Sequence, residues 1–426
     1  MSLSGALSTA VSGLTAQARA LSAISENIAN SSTTAYKTTD VYFQALVSGS
    51  AGSATSTSAV TAKSSQAMTV QGTIASTSVA TNIAIQDSGF FVVTSDPTAA
   101  ASADVYTRNG SFATDADGYL VNSEGFYLMG FSTDADGNIL ASNTNDLTGL
   151  EAINLSSIGG TAKATSNITM TANLPADAAV GDTFTTSMQL IDSLGVSHTV
   201  GQSWEKTADN SWELTLSDPV LTSDGTTTSG TISGGPYTVT FSSADGSLAS
   251  VSPALDFSIS GFSSGAADSA ITLDVGTVGG TDGVTQYAST SSTLSISNVT
   301  TEQDGALYGE LSGISIDADG LVTANFDNGI SLAIYQIPIA TFSNPSGLTL
   351  VSGTTYDENT AAGQVHLNLP SEGGAGSLVA SALEGSTTDI ASEFNKMIIA
   401  QQAYSAASQV VSAAGDMFDT LMQSVR

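Results

Sequence analysis

The sharpest periodicity in the chain lies at its two ends. Near the start, Leu7, Leu14, Leu21 and Ile28 recur every seven residues, and Leu3, Ala10 and Ile24 fill the offset that completes a heptad seam. Arg19 and Glu26 are the ionisable residues of this stretch; Ser, Thr, Ala, Gln and Asn supply most of the remainder, so the helix is marginal alone. The far end answers with the same period. Ile390, Met397, Tyr404, Val411, Phe418 and Val425 are spaced by seven, Ala400, Ala407, Ala414 and Leu421 take the offset, and Phe394 lies in the first turns. Two amphipathic helices on an ordinary globular core would share this pattern. Matched heptads at opposite ends, where chains usually fray, predict instead a coiled-coil stem closed by the chain's own ends or by neighbouring copies.

Between the ends the pattern changes to strands and turns. TNIAIQDSGFFVV (81–93) passes from alternation into an apolar run, and VYTRNGSFATDADGYLVNSEGFYLMGF (105–131) sets short aromatic-rich strands between N-G, D-G and E-G turns. A second block opens with Phe184, Met188, Leu190 and Ile191 and runs through 202–216 and 233–248; a third, at 307–342, repeats the style of the first. The fold class predicted is mostly β with terminal α-helices: a helical stem and antiparallel β-domains nested inside it. The expected boundaries are 1–70 and 355–426 for the terminal helical domain with its extended linker, 71–165 and 295–354 for a discontinuous β-domain, and 166–294 for an inserted outer β-domain. Segments 48–66 and 370–377, rich in small and polar residues, read as flexible joints.

Composition narrows the picture. The chain has 426 residues, 41 Gly, 41% hydrophobic residues and a net charge of −31, enough apolar surface to fold despite its acidity. That charge is uneven: +1 over residues 1–63 and −3 over 384–426, which leaves −29 for the middle. Nearly neutral ends suit dense packing among themselves, and an acidic middle suits exposure to solvent. Eight Lys and Arg without a basic patch make nucleic acid an unsuitable partner. Cysteine is absent, which excludes disulfides, thiolate catalysis and Cys-based zinc sites. The N-terminus carries no basic and apolar secretory signal, and no apolar run is long enough to insert in a membrane.

Candidate chemistry is sparse. Three DADG tetrapeptides begin at Asp115, Asp134 and Asp317, resembling the opening of a calcium loop. The twelfth positions are Phe126, Asn145 and Asn328 rather than Glu, and Asp-Gly favours tight hairpin turns, so a turn is the better reading. His198 and His366 belong to no catalytic motif, and the Gly-rich stretch 371–376 lacks the lysine of a phosphate loop. No catalytic residue, metal site or cofactor is expected.

SENIANSSTTAYKTTD (25–40) resembles the N-terminal signature of bacterial flagellar rod, hook and hook-associated axial proteins, A-N-N-x-A-N-x-x-T-x-G-F/Y-K. Asn27, Ala29, Asn30, Thr33, Tyr36 and Lys37 match it, and Ala35 replaces the usual Gly. DIASEFNKMIIAQQAYSAASQVVSAAGDMFDTLM (389–422) resembles the C-terminal helix of the family; its preceding S-N-V-D appears as Ser386, Thr387, Thr388 and Asp389, which weakens the expected cap. Within the family, 184–214 with its D-S-L-G-x-x-H element and IATFSNPSGL (339–348) resemble segments of hook proteins, whereas 220–300 resembles nothing placed. The resemblance implies a non-enzymatic subunit of a helical homopolymer, a universal joint between rod and filament. It implies export through the type III apparatus without a cleaved signal to an extracellular hook joined to the basal body, with rod, hook-cap and hook-filament junction proteins as further partners. Leu3, Leu7, Leu14, Leu21, Ile24 and Ile28 would face Ile390, Phe394, Met397, Tyr404, Val411, Phe418, Leu421 and Val425 of the same or neighbouring copies. A distal rod or other axial protein and a secreted acidic β-rich surface protein are the alternative readings.

Overall fold

The computed structural model describes residues 3–48, 56–98, 105–290 and 293–424. Helix α1 spans Leu3–Ala29 and helix α2 spans Ile390–Ser424; nearly everything between them is strand and turn. The helices pack along one another. The chain divides into two compact units: residues 1–157, 314–324 and 332–426 form the first, and 158–313 with 325–331 form the second.

In the first unit a hairpin follows α1. Strand β1 (Thr39–Ser48) pairs antiparallel with β2 (Ser56–Gln66), from Thr39 opposite Gln66 to Ser48 opposite Ser56. The expectation of a flexible joint over 48–66 is therefore corrected for 56–66; residues 49–55 lie outside the described residues. Small polar residues suggest a linker by composition, but here the apolar β1 supplies a full ladder and α1 packs on the hairpin.

The rest of this unit closes by pairing strands far apart in sequence. Ile83–Gln86 pairs with Ser377–Ala380, Ile74–Ser76 with Ala382–Glu384, and Val105–Thr107 with Thr355–Asp357. Phe91–Thr94 lies between Tyr127–Ser132 and Val105–Thr107 in the same sheet. The core beneath is aromatic, with Phe342 edge-on to Phe90 and Tyr106 at centroid distances of 5.9 and 4.9 Å.

The second unit is a pair of sheets around one core. One sheet is ordered 183–191, 197–208, 211–216, 237–241 and 248–252, wholly antiparallel; Trp204, Trp212, Leu214 and Val239 are fully buried in the core. The other is mixed: Asn167–Pro175 runs parallel to Ser269–Asp274 and Val284–Tyr287 and antiparallel to Ser297–Gln303. Parallel neighbours need a long crossover, and the whole antiparallel sheet lies within that connection.

The three DADG sequences are turns, and the reason is visible in their hydrogen bonds. Oδ1 of Asp115, Asp134 and Asp317 accepts the backbone N–H groups two and four residues on, at 2.8 to 3.1 Å. Asn122 and Asp192 do the same in N-S-E-G and D-S-L-G. The Gly that closes each loop has φ between 82° and 88°, the left-handed region that Gly adopts without steric cost. A side-chain oxygen holding two amides in a tight loop organises a turn, not a cation. Among the described residues no group of three His, Asp or Glu is placed to hold a metal.

His198 is buried, with Nδ1 2.7 Å from Ser229 Oγ and Nε2 3.0 Å from Asp192 Oδ2. Although this looks like a nucleophile, base and acid, all three side chains are sealed in the core, with the Phe262 ring against the imidazole. Burial works against the Asp192 carboxylate, but hydrogen bonds from Ser264, His198 and the Val196 and Leu194 amides outweigh it and hold its pKa below the ordinary value. The trio is a structural clamp on the D-S-L-G loop.

Asp304 ties the start of this unit to its end. Its Oδ1 accepts the backbone N–H of Ser166 and Asn167 at 2.8 and 2.9 Å, Oδ2 accepts the Ser166 hydroxyl at 2.7 Å, and Lys163 Nζ lies 3.5 Å away. Burial opposes the charge, but those donors prevail and hold the carboxyl far below its usual range. A depressed folded pKa contributes stability that is complete above the unfolded value of about 4 and is lost as pH falls through the folded value. Asp304→Asn is expected to lower stability at neutral pH by about 1–3 kcal/mol and to remove part of the acid dependence. Thermal melting of the full chain between neutral and strongly acid pH checks both.

Candidate functional site

The helix pair and the turn that ends α1 form the region to which the sequence assigns assembly. Small side chains bury themselves along the helices: Ala10, Ala16, Ala20 and Ala23 with Ile24 on α1, and Ala400 and Ala414 on α2. The larger heptad residues Leu7, Leu14, Leu21 and Ile28 are only half-buried, flanking that alanine line. On α2 Met397 and Val411 are half-buried, while Ile390, Phe394, Tyr404 and Phe418 are exposed. Val425 and the side chains of Leu3 and Leu421 lie outside the described residues. The offset alanines, not the bulky positions, thus face inward on α2.

A wide apolar surface is left over. Ile398, Ile399, Val410, Met417 and Met422 are exposed as well, Ile399 at 67% and Met422 at 70%. Beside them a cleft of about 270 Å³ opens between α1, β1 and α2, lined by Ala20, Ile24, Val41, Phe43, Lys396 and Ile399. Exposure of this many large apolar side chains on one helix marks an interaction surface rather than a solvated face.

At the end of α1 the motif residues converge on a buried polar junction. Asn27 uses its full hydrogen-bonding capacity: Nδ2 donates to Thr39 O at 3.0 Å and to Glu393 Oε2 of α2 at 3.1 Å, and Oδ1 accepts from Tyr36 OH and Thr39 N. Burial pushes the Tyr36 hydroxyl above its ordinary pKa, keeping it a donor. Lys396 bridges Glu393 and Asp40 at 2.7 and 3.2 Å; partial burial opposes its charge, but those bonds raise its pKa. Asn30 and Thr33 act locally, Thr33 Oγ1 donating to Asn30 Oδ1, and Ala29 is exposed. Ala35 has φ +58° and is fully buried, its N–H donating to Glu384 O at 2.8 Å. That left-handed backbone explains why the family pattern has Gly there.

The expected weakness of the α2 cap is not seen. Asp389 Oδ1 accepts the N–H groups of Ala391 and Ser392 at 2.9 and 3.2 Å, a complete N-cap. Thr387, one of the two departures from the family sequence, accepts the Thr38 N–H at 2.9 Å and donates its own N–H to Tyr36 O.

Lys37 is buried completely and meets a residue that sequence reasoning missed. Its Nζ lies 2.7 Å from Glu384 Oε1 and 2.6 Å from Val70 O; the same carboxylate accepts the Gly72 N–H at 2.7 Å and faces Arg108 at 3.5 Å. Burial lowers the pKa of both Lys37 and Arg108, and Glu384 opposes that in each case. Arg108 also donates to Asp87 O and lies 5.4 Å from the Phe90 ring centroid. A Cβ on Gly72 would come within 2.1 Å of Gly385 O, so only Gly permits this approach. The available signal was a lone Glu in an otherwise small and apolar run, SLVASALEGS (377–386).

Glu384→Gln leaves two cations buried with no carboxylate. It is expected to cost about 3–5 kcal/mol. Denaturant titration of the full chain measures this, and a loss below about 1 kcal/mol would show that Glu384 does not organise the junction.

Comparison with known proteins follows the same geography. Residues 7–37 match the family described as flagella basal body rod protein, and 379–424 match the C-terminal part of flagellar basal body rod FlgEFG protein. Residues 84–174 match the flagellar hook protein FlgE/F/G D1 domain. Residues 154–306 match the flagellar basal body protein FlaE D2 domain, so 220–300, which resembled nothing placed, belongs to a recognised domain. The flagellar hook protein FlgE of Rhizobium meliloti (strain 1021) is 33% identical, with 99% of each chain covered, and that of Brucella suis biovar 1 is 30% identical with the same coverage. The crystal structure of Helicobacter pylori flagellar hook protein FlgE2 aligns with a TM-score of 0.47 at 15% identity, covering 73% of this chain and all of the other. With near-complete coverage in both chains and every part of the domain series in order, the chain belongs to the flagellar hook protein FlgE family.

Proposed function

We infer that this chain is the structural subunit of the bacterial flagellar hook, polymerising into a curved, flexible tube that transmits motor torque from rod to filament. The observation that carries this is the set of large apolar side chains that α2 leaves exposed: Phe394, Ile398, Ile399, Val410, Met417 and Met422 are more apolar surface than a solvated helix carries. Neighbouring copies bury those side chains, and the burial orders helices that are marginal on their own. The inner line of alanines lets α1 and α2 approach closely, leaving the bulky positions, Leu7, Leu14, Leu21, Ile390, Tyr404 and Phe418 among them, to contacts between copies.

The subunit works outside the cell, reaching the tip of the growing structure through the type III export apparatus as an unfolded chain. Its ends meet rod proteins below, and hook-cap and junction proteins above. Bending under rotation asks for a firm helical inner contact and outer contacts that exchange readily, and an acidic Ser-rich and Thr-rich outer surface provides the second.

Removing residues 1–30 or 395–426 is expected to abolish polymerisation while the β-sheet signal in circular dichroism persists. Sedimentation and electron microscopy read the polymer. Tubes formed by either truncated chain would remove the helices from the assembly mechanism.

A further inference from the structure

The basic side chains of this acidic protein divide by how they are neutralised. Among the described residues, Lys37 and Arg108 share Glu384, Lys163 lies by Asp304, and Lys396 bridges Asp40 and Glu393. Lys206 is buried on the carbonyls of Ala176 and Ala178 with Trp212 beside it. Arg19 and Lys63 are what remain. Arg19 Nη1 donates to Ala62 O at 3.1 Å and reaches no carboxylate; Lys63, exposed on β2, forms no hydrogen bond or ion pair among the described residues.

Both line the same feature, an open groove of about 700 Å³ between α1, β2 and the 346–350 segment, with Ala23, Leu348 and Leu350 along it. Glu26 also lines the groove but forms no ion pair with either cation. In a chain with 39 acidic residues and 8 Lys and Arg, leaving two cations unpaired in one place is a strong asymmetry. Copies of a chain with net charge −31 repel unless cations stand where they touch.

We propose that this groove receives a carboxylate-bearing surface of a second copy of the chain, with Arg19 and Lys63 as its charge partners. The second copy is the occupant because it brings uncommitted carboxylates on rigid supports. Asp117, Asp136 and Asp319, third in their DADG turns, are exposed, and their carboxylates accept no hydrogen bond among the described residues, whereas the first Asp of each turn is occupied by backbone amides. Leu348 and Leu350 add apolar contact beneath the charges. The proposal rests on the hook reading and names a contact that holds neighbouring subunits in register.

The test uses polymer assembled from equal parts of unlabelled and 15N-labelled full-length chain, treated with a carbodiimide that joins an amine directly to a carboxylate. Peptide mass spectrometry is expected to find Lys63 joined to an Asp or Glu peptide in mixed isotope pairs, which only a contact between copies produces. The Lys163–Asp304 pair, 3.5 Å apart in one chain, is the internal control and links without isotope mixing. Arg19→Gln and Lys63→Gln should each raise the critical concentration for polymerisation by about two- to fivefold, the range an exposed ion pair supplies. Both should also flatten its salt dependence. Polymer in which Lys163 is linked and Lys63 is not, or in which Lys63 is joined only to Glu26 of its own chain, overturns the proposal and leaves the hook reading standing. Sedimentation before cross-linking separates the other failure: a chain that stays monomeric at all concentrations removes the hook reading and this contact with it.

Discussion

One buried carboxylate holds the two ends of the chain in a single arrangement. Glu384 comes from the last strand before α2, yet it accepts from Lys37, which follows α1, from the Gly72 amide and from Arg108. Two cations on one anion leave an excess positive charge in a site without water access, a costly arrangement that only good geometry sustains. Such a cluster contributes little net stability compared with apolar packing, but it penalises every alternative pairing heavily. A chain whose ends lie hundreds of residues apart needs that penalty. Slippage of the 382–384 strand by one residue would turn Glu384 to the other face and strand Lys37.

From that fixed point the helix pair follows. Asn27 connects the last turn of α1 to Glu393 in the first turns of α2, so the helices leave the junction already in register. Alanines then keep them close, and proximity has a consequence for the larger residues. Apart from Ile24, they are left at the flanks or in solvent. The exposed apolar surface is thus a product of the intramolecular seam, and a seam built from Leu and Phe would have consumed it.

This displacement also sets what the sequence could reveal. Period identified both helices, because a heptad reports that one face is apolar, and its recurrence at the two opposite chain ends pointed to their partnership. It did not distinguish Leu7 or Tyr404 from Ala10 or Ala400 as the inward positions; that depends on interhelical distance, which the junction controls. The DADG turns were legible because Asp and Gly act within five residues. Hairpin β1–β2 was not, since Ser, Thr and Ala in 56–66 take their structure from β1. Glu384 escaped notice for a related reason: its partners come from positions 37, 72 and 108, and no local pattern marks a residue whose role is wholly long-range.

The two units differ in how completely they satisfy themselves. The second encloses two Trp and a large apolar core between its own sheets, neutralises Asp192 and Asp304 with its own donors, and fastens entry to exit through Asp304. The helical part of the first leaves large apolar side chains exposed and, among the described residues, two cations, Arg19 and Lys63, without a carboxylate partner. Unsatisfied surface is where association free energy can be gained, so the hook proposed above would draw its assembly strength from the helices and the β1–β2 hairpin. In the proposed hook, contacts made by the self-satisfied β-unit can form and break while contacts made by the helices persist, which is the mechanical requirement of a tube that bends as it turns.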